Sequence, residues 1–179
     1  GRETAIQKLT WEEDDWPYLA DGGNKPKVKV SAPNLPEHKW EPPPIRNDFD
    51  SPELDIHFQT LRIPLGEEMM SLTERPGYLR LKGRESLNSR HSQSLVARRQ
   101  QSFNYSATTC LEFKPKTFQQ MAGLVAFYNV ENFYYLRVSH DEELGKSLTI
   151  ITMDQGEYNE PLEEEISILE KYINDEKNK

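Results

Sequence analysis

The stretch Met121-Ala-Gly-Leu-Val-Ala-Phe-Tyr-Asn-Val-Glu-Asn-Phe-Tyr-Tyr-Leu-Arg-Val-Ser139 decides the fold class. Two runs of aromatic and β-branched residues flank Asn129 to Asn132, whose polar side chains favour a turn, so the stretch reads as a β-hairpin. Gly123 to Phe127 is apolar on both faces, which places it as a central strand in this reading. Outward from the hairpin, turn residues recur every ten or so positions between short stretches of strand composition. The expected strands are Phe58 to Ile63, Tyr78 to Lys82, Ser94 to Gln101, Ala107 to Phe113 and Ser147 to Met153, besides Met121 to Tyr128 and Phe133 to Ser139. Such spacing belongs to an all-β sandwich.

The region before residue 53 is different, because eight of the twelve prolines fall there. Proline removes a backbone donor and fixes φ, so neither a continuous helix nor a central strand is possible. Short extended pieces are expected at Ile6 to Trp11, Trp16 to Leu19 and Lys27 to Val30, with a turn at Asp21 to Asn24. Glu41-Pro42-Pro43-Pro44 is a stiff polyproline spacer. The expected organisation is a strap and linker over residues 1–46, a sandwich over 47–165 and a polar tail over 166–179. Ile166 to Leu169 in that tail is compatible with a strand, a short helix or a frayed end.

The chain has 179 residues, a formal charge of −8 and a hydrophobic fraction of 35%. That length supports one ordinary core. Net acidity disfavours general phosphate binding, so no nucleic-acid partner is expected. No apolar run has the length of a membrane span, and the first residues lack a signal peptide's layout, so the expectation is a cytoplasmic chain with no membrane partner. Cys110, the sole cysteine, excludes an internal disulfide and a CxxC pair. It is expected as a buried, inert thiol in a strand.

No motif for nucleotide binding or acyl transfer occurs, and the four histidines lack zinc-ligand spacing. Asp48, Asp50 and Asp55 are closely spaced carboxylates, of which Asp48 and Asp50 are candidates for a structural Ca²⁺; turn capping is the favoured alternative and no cofactor is expected. Asp141 to Glu143 and Glu163 to Glu165 read as solvated charge. Asn104-Tyr105-Ser106 matches a glycosylation sequon and is read as coincidental. Gly83 to Gln101 is the most basic segment. Arg98 and Arg99, adjacent on a strand, point to opposite faces, so at least one is available to a docking surface or an ion pair.

The segments DFDSPELD (48–55), FQTLRIP (58–64), SLTERPGYLRLKGRESL (71–87), QSLVARRQQSFN (93–104), FQQMAGLVAFYN (118–129) and NFYYLRV (132–138), preceded by GRETAIQ (1–7), resemble the C-terminal part of the β-xylosidases of glycoside hydrolase family 43 over residues 1 to 162. The resemblance implies a concanavalin-A-like, jelly-roll-type sandwich behind an upstream five-bladed catalytic propeller of the same polypeptide. It also implies inverting hydrolysis of terminal xylose from xylo-oligosaccharides, in some relatives of arabinofuranose, with the carboxylates of that reaction in the propeller. No catalytic or substrate-binding residue is carried over to this chain. It is expected to be a fragment that stops before the last strands of the sandwich, with homo-oligomer contacts in the full protein. Propeller-docking candidates are Arg84, His91, Arg98, Arg99, Trp11 and Trp16. The alternative is a carbohydrate-binding module, suggested by Trp11, Trp16 and Trp40 and eight tyrosines.

Overall fold

A computed structural model describes residues 4–162 and 166–167. The chain divides into two compact units, Gly1–Pro43 and Pro44–Lys179. Among the described residues every regular element is a strand.

The first unit holds a hairpin of β1 (Leu9–Trp11) and β2 (Pro17–Leu19), with Leu9 opposite Leu19 and Trp11 opposite Pro17. Its turn is fixed by Asp14. The carboxylate accepts the Trp16 N–H at 3.1 Å and the Tyr18 hydroxyl at 2.8 Å. These bonds, the one from Tyr18 foremost, hold Asp14 below the usual carboxylate range, and the same contact raises Tyr18. Lys27 to Val30 is not a strand: the segment bends, and Val28 is fully exposed. Alternation alone does not make a strand where no ladder partner lies alongside.

The second unit is built on an antiparallel meander, β7 (Ala122–Asn129), β8 (Asn132–Asp141), β9 (Gly145–Asp154) and β10 (Glu157–Asn159), with β11 (Ile166–Ser167) pairing the other half of the β9 edge. The rest of the expected polar tail lies outside the described residues, as does Glu163 to Glu165. Four shorter elements pair beyond the meander: β3 (Phe58–Thr60) with β6 (Val96–Arg98), and β4 (Met70–Ser71) with β5 (Arg80–Leu81).

The hairpin read from 121–139 forms in register, Val125 opposite Tyr135 and Phe127 opposite Phe133. The central position expected for its first strand is not observed. The order β10-β9-β8-β7 puts β7 at the edge and β8 and β9 inside. Apolarity on both sides of a strand reports what lies above and below the sheet, whereas edge or centre is decided by hydrogen bonding in its plane.

Odd-numbered positions share one face. Phe133, Ile151 and Met153 are buried there, with Val125, Phe127, Tyr135 and Leu87 packed against them. The Phe127 and Phe133 rings stack at 6.1 Å. Farther along the same face the residues are polar yet buried: Arg137, Ser139, Ser147 and Thr149. The Ser139 hydroxyl donates to the carbonyls of Phe118 and Gln120 at 3.0 and 3.1 Å, and Arg137 reaches Glu160 at 3.4 Å. These bonds answer the Ser139 hydroxyl and one end of the Arg137 guanidinium.

Burial pushes the Tyr135 phenol up to about 12, against the opposing pull of Arg137. A raised phenol favours the folded state below the unfolded value of 10.0, and that contribution is lost as pH rises towards 12. Absorbance titration at 295 nm should therefore show a phenol with a midpoint near 12 that Tyr135→Phe removes, and the urea midpoint should fall between pH 10 and 12. An unchanged late step in Tyr135→Phe would contradict the assignment.

The segment 107–113 was expected as a strand and is irregular and mostly exposed. It is tethered at its end by Arg75, whose Nη1 and Nη2 meet Glu112 Oε2 and Oε1 at 2.5 and 3.0 Å while the guanidinium lies 3.6 Å from the Tyr78 ring centre. The Arg75 bonds hold the Glu112 carboxyl below its ordinary value. Because the segment joins no sheet, Cys110 is exposed rather than buried as expected.

Candidate functional site

Strand β6 and the residues after it carry the basic pair singled out in the sequence. Arg98 stands opposite Phe58 in the β3–β6 ladder, its guanidinium 5.5 Å from the Phe58 ring centre. Its Nη1 donates to the Pro44 carbonyl at 2.8 Å. A cation over an aromatic face with one N–H engaged is held in place yet keeps donors free. Phe58 is in turn packed against Phe49, ring centres 5.9 Å apart. Phe49 has φ 57°, and its N–H is accepted by Asn47 Oδ1 at 2.9 Å.

Arg99, one residue past the end of β6, is exposed where Arg98 is half-buried. Both border a hollow of about 100 Å³ with Ile56, His57, Gln59 and Gln101. The structure thus brings Arg98 and Arg99 together with three polar side chains that the sequence reading left aside. Gln59 lies opposite Ala97 in β6, His57 directly precedes β3 and Gln101 follows β6, so the pairing of these two strands is what gathers them.

Arg84 and His91 belong to a different loop. Both are exposed, and the charge that they share is Glu85. Glu85 accepts the Ser89 hydroxyl and the Ser92 N–H, and these two bonds, the first the larger, lower its pKa. Trp11 and Trp16 lie on the N-terminal hairpin with 74% and 67% of their surface exposed, and Trp40 is 85% exposed. Exposure of three indoles in one small unit is a large apolar surface for a partner.

Two of the three closely spaced aspartates have protein partners. Asp48 Oδ1 accepts Arg46 Nε at 2.6 Å, and Asp55 Oδ1 accepts the His57 N–H at 2.8 Å. Among the described residues no group of three or more His, Cys, Asp or Glu side chains is arranged to hold a metal. Asp141, expected as solvated charge, caps the β8–β9 turn by accepting the N–H groups of Leu144 and Glu143 at 2.8 and 2.9 Å, which lowers its pKa.

The model of the "Beta xylosidase C-terminal Concanavalin A-like domain" matches residues 46–174. The chain belongs to that family. The concanavalin A-like match runs past residue 162, where the motif resemblance faded. The β-xylosidase of Bacillus subtilis (strain 168) is 49% identical over 169 residues, which cover 94% of this chain and 31% of that protein. A xylan 1,3-β-xylosidase of a Vibrio species is 51% identical over 142 residues, 79% of this chain and 26% of that protein. The crystal structure of xylan β-1,4-xylosidase from Bacillus halodurans C-125 superposes with a TM-score of 0.83 at 50% identity, covering 95% of this chain and 33% of the other. The chain therefore spans about a third of the length of these relatives, and its fold class is the concanavalin A-like all-β domain of this β-xylosidase family.

Proposed function

We propose that this chain is the accessory C-terminal sandwich of a xylan-degrading family 43 glycoside hydrolase, a β-xylosidase with α-L-arabinofuranosidase activity as a further option, and that it packs on a catalytic propeller of the same polypeptide. The observation that carries this reading is the exposure of Trp11, Trp16 and Trp40 in a unit whose only regular structure among the described residues is a two-stranded hairpin. A hairpin of this size does not bury such surface alone, and a preceding domain would supply the apolar partner. Arg84 and His91, on the second unit, would add polar contacts of their own to the propeller.

Glycoside hydrolysis needs a proton donor and a water-activating carboxylate held on opposite sides of the scissile bond. In this reading both belong to the propeller. The isolated chain should then leave p-nitrophenyl xyloside and arabinofuranoside unhydrolysed, at the rate of a buffer blank. Turnover that disappears on mutation of a carboxylate in this chain would refute the accessory role.

A further inference from the structure

We propose that the hollow beside the β3–β6 pair binds an acidic sugar, a hexuronate unit. Its lining is two guanidiniums, an imidazole, two primary amides and one isoleucine, and no Asp or Glu side chain borders it. In a chain of net charge −8 that makes it a local positive site, and focused positive charge selects an anion. Arg98 is already fixed by the Pro44 carbonyl and the Phe58 ring. Arg99 has no ion-pair partner among the described residues, so its planar fork is available for a carboxylate.

The two amides decide which anion. Gln59 and Gln101 each offer an acceptor oxygen as well as donors. A phosphate or sulfate gains nothing from an acceptor, whereas a sugar carries hydroxyl donors beside its carboxylate. Ile56, 88% exposed, offers an apolar patch to the C–H edge of a pyranose. A volume of about 100 Å³ takes a carboxylate and the adjoining ring edge, and leaves the rest of a glycan in solvent.

The test is a titration of the ¹⁵N-labelled 179-residue chain with methyl β-D-glucuronide, with methyl β-D-glucoside as the neutral analogue and sodium acetate as the anion without hydroxyls. Saturable shifts of the amides of Ile56 to Gln59 and Arg98 to Gln101 are expected with the glucuronide alone. Arg99→Gln should weaken binding about tenfold or more, the loss of a charge-assisted bond. Equal response to the glucoside, the same shifts with acetate, or no response would overturn the proposal. Should Arg99→Gln alter the unliganded spectrum, Gln101→Ala at an exposed position reads the same loss.

Discussion

Replacing Phe133 by alanine should lower the unfolding free energy by about 3–5 kcal/mol, the range for emptying a buried aromatic site. Phe133 is 5% exposed, pairs with Met153 on one side and Phe127 on the other, and belongs to the buried cluster with Ile151. A loss of that size is a large share of the roughly 5–15 kcal/mol that stabilises a typical domain. Urea unfolding followed by far-UV circular dichroism should show a midpoint displaced far below the parent's or no cooperative transition. Val125→Asp, one strand away, tests the same cluster by inserting an unpaired charge. A parent-like transition in both variants would mean that the meander does not carry the core.

Gly123→Ala is the second large effect, and its cause is contact across the sheet. A Cβ built on Gly123 would stand 1.9 Å from the Leu136 carbonyl oxygen and 3.0 Å from the Arg137 Cα, both backbone atoms of β8. Neither is the flexible end of a side chain, so the strands themselves must separate. Overpacking usually costs about 1–3 kcal/mol, occasionally more, and an edge strand has the freedom to peel away. Hydrogen exchange at Leu124 and Leu136 should accelerate together with a drop in the urea midpoint. Gly83→Ala, where nothing lies within 4 Å, is the matched control. Equal stability of the two variants would sink the close-approach argument.

The meander was legible because its signals are local: aromatic and β-branched residues in long runs, with Asn129 to Asn132 between the first two. The parity of the inward face was also available, since Phe133, Tyr135 and Arg137 alternate with Tyr134 and Leu136. Arg137 stands on that same parity, and a lone cation on the apolar side of a strand signals a buried ion pair, here with Glu160. Of the short pairs, β3, β5 and β6 lie inside stretches of strand composition, though which strand pairs with which is not readable there. Two or three residues carry almost no periodicity, and strand β4 lay outside every stretch of strand composition that the sequence offered. Ala107 to Phe113 has strand composition without a strand, because a ladder requires a second chain segment alongside and one segment's sequence does not contain it. Of the site, Arg98 and Arg99 were visible as a charge pair. His57, Gln59 and Gln101 join them through a pairing whose two halves lie far apart in sequence.

That separation sets a timetable for folding. Val130 and Glu131 alone join β7 to β8, and Gln155 and Gly156 alone join β9 to β10, so these hairpins close short loops and form contacts between near neighbours. Phe58 must instead find Arg98 across the intervening chain, a closure with a larger entropic cost that grows slowly with loop length. Sequence-local pairings form on the microsecond scale of hairpins, whereas distant ones delay the overall rate. The meander is thus the template, and the wall carrying Arg98 and Arg99 is laid down last.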